Sequence, residues 1–141
     1  MAESASVPRY IAVSFLSGLL FVLMDGLIHA NPFARSLFEV YRPLTRNSVN
    51  APVGVAIDLA YGFVLTGFFL VLISSLPGES ALVRGISFGI LIWFFRVVMG
   101  VVGEWMMFAV PLKVHLYRLF SGLGEMLVLG MFIAVAFRGR E

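Results

Sequence analysis

Four long apolar segments constrain the fold of this chain more than any other feature of its sequence. They run over residues 9–30, 51–76, 80–110 and 111–137. A helix needs about 20 apolar residues to cross the hydrocarbon core of a bilayer, and each segment reaches that length. The connections between the last three are very short, so these segments must run antiparallel. The sequence therefore predicts an all-α, transmembrane, antiparallel four-helix bundle that forms a single integral membrane domain, residues 1–141.

The composition excludes several classes of function. Hydrophobic residues make up 60% of the chain and charged residues only 13%, whereas a soluble domain carries roughly 25% charged residues. A soluble enzyme is therefore excluded, and no catalytic motif is visible. The chain has no cysteine, which rules out disulfides and thiolate metal sites. A net charge of +2 is too small to predict nucleic-acid binding. The partner that the composition does predict is the lipid bilayer.

One long connection, residues 31–50, separates the first and second segments. It interleaves aromatic and apolar residues with arginines and includes Tyr41, Arg42 and Pro43. This pattern suits a segment that lies in the headgroup layer, and it equally suits a polar loop with a few buried anchors. Basic residues flank the two ends of the predicted bundle in equal number, so the positive-inside rule does not decide the orientation.

Every predicted span carries an acidic residue. These are Asp25, Asp58, Glu104 and Glu125, and they are accompanied by Arg96, Arg118, His29 and His115. Ionisable groups within a bilayer are costly and face the interior of a bundle, where they are functional candidates. Side A is the side of the bundle with both termini, and side B is the opposite side. Counted from side B, Arg96 and Glu125 lie about 20 Å deep and the other groups about 10 Å or less. Arg96, Gly100 and Glu104 are expected to share one stripe of the third span.

A structural interpretation pairs all of these groups. The expected ion pairs are Arg96 with Glu125, Arg118 with Glu104, Asp25 with His29, and Asp58 with His115. Buried pairs of this kind can fix helix register without any chemistry. The protein would then be a scaffold, assembly factor or accessory subunit of a homo-oligomer or a larger membrane complex.

Two other interpretations assign a ligand to the same groups. Asp25, His29, Asp58 and His115 form a set that could bind a divalent metal such as zinc, iron or manganese. The same set could carry protons in a transporter, because histidine titrates near neutral pH. Alternatively, His29 and His115 could be the axial ligands of a b-type haem held between the first and fourth helices.

Short motifs add a resemblance that covers most of the chain. The stretch MDGLIHA ends the first segment, YRP stands at 41–43, the middle segments are rich in glycine, and Glu125 is the one acid of the fourth. This pattern resembles small uncharacterised bacterial four-helix integral membrane proteins that show an Asp-x-x-Ile-His element and a Trp-Arg-Pro-like element at matching places. Tyr41 stands here in place of the tryptophan. The resemblance implies a bacterial inner-membrane location and no particular activity. It singles out Asp25, His29, Arg42, Pro43 and Glu125.

Overall fold

The computed structural model describes residues 6–139 as a bundle of helices. The α-helices are α1 (Val7–Ala30), α2 (Pro32–Phe38), α3 (Ala51–Leu72), α4 (Ala81–Trp93), α5 (Met99–Met107) and α6 (Leu112–Ala136). A 3₁₀ helix, Glu39–Leu44, follows α2, and a π-helical turn, Phe94–Val98, joins α4 to α5. The described residues contain no β-strand. The predicted all-α four-helix bundle is confirmed.

Four helices of the bundle are long and apolar enough to cross a bilayer. They are α1, α3, the third span (Ala81–Met107, which comprises α4, the π-helical turn and α5) and α6. Large apolar side chains cover the outside of the bundle, among them Leu23, Phe68, Phe95 and Phe120. An outer surface of this kind is stable against lipid and not against water. The chain is therefore a small multi-pass integral membrane protein.

The predicted helix bounds need two corrections at helix C-termini. The second segment was expected to be helical to residue 76, but α3 ends at Leu72. A tight turn follows, in which Leu72 accepts hydrogen bonds from the backbone N–H groups of Ser75 and Leu76 just before Pro77. The third span ends at Met107 rather than residue 110, with Phe108 in an extended conformation. Residues that precede a proline, here Pro111, disfavour helix.

Glycines set the closest contacts between helices. A Cβ atom on Gly62 of α3 would lie 2.4 Å from the backbone nitrogen of Gly18 and 2.4 Å from the carbonyl oxygen of Ser14, both on α1. On the other side of the bundle, a Cβ on Gly130 of α6 would lie 2.3 Å from the carbonyl oxygen of Gly85 on α4. Small residues let backbones approach in this way, which gives helices in lipid their packing energy. The bundle thus consists of two tight pairs, α1 with α3 and α4 with α6.

The contact between α1 and α6 joins the two pairs, and this leaves one side of the bundle loosely packed. Among the described residues, α3 makes no extensive contact with the third span. The region between these helices is therefore where side chains, rather than backbones, must fill the interior. The polar groups of all four spans lie next to this region.

The connection between α1 and α3 is more ordered than a plain loop. The side chain of Asn31 caps α2 by accepting a hydrogen bond from the backbone N–H of Ala34, at 2.8 Å. Ala34 and Leu37 are buried against the bundle, whereas Phe33 and Leu44 are exposed. The buried face of this segment matches the predicted loop with buried anchors. Its exposed apolar face matches the predicted segment in the headgroup layer. The connection holds Tyr41 close to the side-B end of the spans.

Candidate functional site

A polar cavity of about 290 Å³ lies in the side-B half of the bundle. Its polar lining consists of Asp25, His29, Tyr61, Arg96, Arg118, Ser121 and Glu125. These side chains come from α1, α3, the third span and α6, so every span contributes to the site. Apolar atoms of Ile28, Val97 and the backbone of Gly122 complete the wall. Five of the eight ionisable groups predicted from the sequence therefore converge at the polar cavity.

Arg96 lies inside the π-helical turn of the third span and reaches across the loosely packed side of the bundle. Its guanidinium carbon is 4.8 Å from the ring centroid of Phe21 on α1 and 5.0 Å from that of Tyr61 on α3. The two rings stack on each other, with centroids 5.4 Å apart. Cation–π contacts of this kind are strongest when the cation is shielded from water. Arg96 thereby connects the third span to both helices of the opposite pair.

The π-helical turn explains one departure from the expected helix phase. Arg96 and Glu104 both face the interior. Gly100, which was expected on the same stripe, is exposed, and apart from its own helix backbone no described atom lies within 4 Å of the position of an added Cβ. The stripe prediction was therefore wrong for Gly100. The extra residue in a π-helical turn rotates the side chains that follow it, relative to their directions in a regular α-helix. Such turns are frequent at functional sites.

Glu125 is the most deeply buried charged residue in the cavity wall. Its side chain is only 4% exposed, and its Oε2 atom lies 3.5 Å from Nη1 of Arg96. The other carboxylate oxygen, Oε1, is buried and has no hydrogen-bond partner among residues 6–139. The predicted pair of Arg96 and Glu125 is thus present but long. A buried carboxylate with one unsatisfied oxygen is an unusual and costly arrangement.

Asp25 and His29 lie at the opposite, side-B end of the polar cavity. Nδ1 of His29 is 3.0 Å from the carboxylate Oδ1 of Asp25 and 3.0 Å from its backbone oxygen, as the spacing of one helical turn predicted. Their side chains are 52% and 40% exposed, and the imidazole stacks on the ring of Phe38. Because charged groups do not face hydrocarbon, the open end of the cavity faces water.

Another ion pair closes the side of the cavity next to the interfacial segment, which is the connection between α1 and α3 (residues 31–50). Arg118 of α6 donates a hydrogen bond to the carboxylate of Glu104 on the third span, as predicted. The hydroxyl of Tyr41 also donates to Glu104 and accepts a longer hydrogen bond, 3.4 Å, from Arg118. Burial, and next to it the hydrogen bond to the Glu104 carboxylate, raises the pKa of Tyr41, so its hydroxyl remains a donor. Tyr41 therefore ties the 3₁₀ helix to two spans.

Tyr41→Phe is expected to release the interfacial segment while leaving the bundle folded. The substitution removes one hydrogen bond to a charged group, which is worth about 2 kcal/mol. Hydrogen exchange of the backbone amides of residues 39–44, measured in detergent, should become faster. Arg42→Gln is the matched control, because Arg42 is exposed and, within residues 6–139, pairs only with Glu39 one helical turn before it, at 2.6 Å. Equal exchange in the two variants would contradict the anchoring role of Tyr41.

The two remaining polar groups are not paired as expected. His115 is 2% exposed, and neither ring nitrogen has a hydrogen-bond partner within residues 6–139. Asp58 is partly buried on α3 and forms no ion pair with it. The predicted pair of Asp58 and His115 was therefore wrong. Both residues face inward, but they lie outside the lining of the polar cavity.

The residues proposed for a metal are consequently divided rather than gathered. Asp25 and His29 line the cavity, whereas Asp58 and His115 do not. Over residues 6–139, no three histidine or acidic side chains come close enough to share a metal ion. The predicted four-residue metal set is not assembled. For the same reason, His29 and His115 do not face each other across the polar cavity as two axial haem ligands would.

Some residues of the site carry no recognisable signal in the sequence. Ser121 lines the cavity, and the hydroxyl of Tyr117 donates a 2.5 Å hydrogen bond to the carbonyl of Ile28 at the end of α1. Aromatic and hydroxyl side chains are common in apolar helices, so only their helical phase relative to Arg118 and Glu125 could have indicated them.

The fold and the cavity define a class of protein: a multi-pass membrane protein with a half-open, charged cavity within its bundle. No family model matches this sequence, and the comparisons with curated proteins and with solved structures found no significant similarity. Function must therefore be argued from the cavity itself.

Proposed function

We propose that this protein is an intramembrane proton-binding protein in which Glu125 exchanges a proton with water in the polar cavity. The observation that carries the proposal is the buried Oε1 atom of Glu125, which finds no hydrogen-bond partner in the described part of the chain although it belongs to a residue of the cavity wall. A proton on this oxygen neutralises a buried carboxylate of which only the other oxygen, Oε2, contacts a cation.

The route between Glu125 and bulk water follows the cavity. A volume of 290 Å³ corresponds to about ten water molecules at their liquid volume of roughly 30 Å³ each. At the open end, the imidazole of His29 is held by Asp25 and carries an exchangeable proton. Water in the cavity therefore links a surface histidine to a buried carboxyl group.

The charge of Glu125 depends first on its burial and then on the charged groups within electrostatic range of it. They are Arg96 from the third span, Asp25 and His29 from α1, and Asp58 from α3. Arg96 and a protonated His29 favour the ionised carboxylate, whereas the two aspartates favour the neutral acid. Such a balance is what a reversible proton-binding site requires.

Infrared difference spectroscopy on protein in lipid vesicles tests the proposal. A change from alkaline to acidic pH should produce the C=O stretching band of a protonated carboxylic acid, and Glu125→Gln should remove that band. Asp58→Asn is the matched control, because Asp58 is a partly buried acid of another span that lies outside the cavity wall, and it should leave the band in place. A band that survives in Glu125→Gln would overturn the assignment to Glu125.

A scaffold or accessory-subunit role is the second candidate. Its support is that Arg96 with Glu125 and Arg118 with Glu104 join the third span to α6. Under this alternative, Glu125→Gln lowers stability without removing any proton signal. We also propose that the protein lies in a bacterial inner membrane, belongs to the small four-helix group and assembles into a homo-oligomer or a larger complex.

A further inference from the structure

We propose that the polar cavity binds a small monovalent carboxylate on Arg96, and that it does so together with the proton on Glu125. The inference rests on the proposed function, since the proton on Glu125 is what frees Arg96. The ligand class follows from the donors, charges and size of the cavity.

Arg96 has the unused hydrogen-bonding capacity that a carboxylate needs. A guanidinium carries five N–H donors in a planar fork that matches two carboxylate oxygens. Within residues 6–139, the polar contact of Arg96 is the 3.5 Å one to Glu125, and its buried Nε atom has no partner. The aromatic rings of Phe21 and Tyr61 hold the guanidinium in place without using its donors.

The charges of the cavity wall leave room for one anion only after Glu125 is protonated. Asp25 pairs with His29, at 3.0 Å, and Arg118 pairs with Glu104. The remaining pair, Arg96 with Glu125, is the longest of the three. A proton on Glu125 removes the negative member of this pair and leaves Arg96 with one uncompensated positive charge. The bound anion replaces the carboxylate that the proton has neutralised, so the net charge of the occupied cavity is unchanged.

The remaining charges argue for a monovalent ligand. Asp25 and Asp58 both lie within electrostatic range of Glu125 and Arg96. They would repel a second negative charge in a cavity where, among the described residues, Arg96 is the cation that the proton on Glu125 releases. A chloride ion has the right charge, but it cannot use the paired N–H geometry of the guanidinium. The ligand expected from these constraints is a monocarboxylate.

The size and wall of the cavity set the length of that monocarboxylate. A volume of about 290 Å³ accommodates a few carbon atoms with water beside them. Ile28 and Val97 provide an apolar wall for a short alkyl group. Acetate is therefore a suitable probe.

Isothermal titration of the purified protein with acetate, in detergent, tests the inference. Performed in two buffers of different ionisation enthalpy, the titration reports the proton uptake that accompanies binding. We expect acetate to bind more tightly at acidic than at alkaline pH, with one proton taken up per acetate at alkaline pH. Malonate and chloride should bind at least tenfold more weakly than acetate.

Two variants separate the role of Arg96 from that of Glu125. Arg96→Lys keeps the positive charge but removes the donor fork, and acetate should bind at least tenfold more weakly. Glu125→Gln imitates the protonated acid, so acetate should still bind, now without proton uptake and without dependence on pH. Arg42→Gln, which alters an exposed arginine outside the cavity, should bind as the unmodified protein does.

The outcomes distinguish this inference from the proposed function. If the infrared band assigns a proton to Glu125 but acetate does not bind, the carboxylate site is overturned and the proton-binding function stands. Acetate binding that is unchanged in Arg96→Lys, or that takes up no proton in the unmodified protein, also overturns the inference. If acetate binds with proton uptake in Glu125→Gln, the proton belongs to another group and the inference is overturned, whereas the infrared band still decides the proposed function.

Discussion

Arg96→Leu is expected to lower the free energy of unfolding by about 3–5 kcal/mol, because it leaves the Glu125 carboxylate buried without a counter-charge. It also removes the cation–π contacts to Phe21 and Tyr61, which connect the third span to the opposite helix pair. The measurement is the unfolding transition in mixtures of mild detergent and dodecyl sulfate, followed by circular dichroism.

A double variant shows whether the loss comes from the isolated charge. Arg96→Leu combined with Glu125→Leu removes both members of the pair, and much of the lost stability should return. Arg118→Leu combined with Glu104→Leu is the parallel test for the second ion pair. If Arg96→Leu unfolds at the same detergent composition as the unmodified protein, Glu125 is not held by Arg96.

Gly62→Ala is the second substitution with a large expected effect, about 3 kcal/mol of destabilisation. The added methyl group would lie 2.4 Å from backbone atoms of Ser14 and Gly18, and backbone cannot rotate out of the way as a side chain can. The two helices must separate, which sacrifices the close packing on which association in lipid depends.

The same helix offers the control for this substitution. Apart from its own helix backbone, no described residue has an atom within 4 Å of the position of a Cβ added to Gly54 of α3. Gly54→Ala should therefore leave the thermal midpoint in detergent unchanged or raise it slightly, since alanine favours helix over glycine. Equal losses at residues 54 and 62 would show that helix propensity, and not the contact with α1, controls stability here.

Helical periodicity and depth were enough to predict three of the four ion pairs. Asp25 and His29 are one turn apart on a single helix, so their pairing needs no tertiary information. Arg96 and Glu125 were placed at the same depth on neighbouring antiparallel helices, and a charge in a bilayer has few partners from which to choose. Asp58 and His115 were paired only because they remained, and that argument has no geometric basis.

The interfacial segment shows where prediction from sequence ended. Tyr41 was singled out as part of a short motif beside Arg42 and Pro43, but its partner Glu104 is far away in the chain. Arg42 was equally prominent in the sequence, yet its ion pair among the described residues is with Glu39, three residues before it at the surface. Which of the two neighbours turns inward depends on the 3₁₀ helix, whose phase the apolar pattern does not define.

The sequence by itself determined that this chain spans a bilayer four times and that its charged groups must gather inside the bundle. Both conclusions follow from the cost of exposing polar atoms to hydrocarbon, which acts on each residue independently of the fold. Only the tertiary structure decided which groups share the polar cavity, because that depends on how glycine contacts pair the helices and on the π-helical turn that directs Arg96. The unsatisfied oxygen of Glu125 is a product of this packing, since among the described residues no helix places a hydrogen-bond donor next to it.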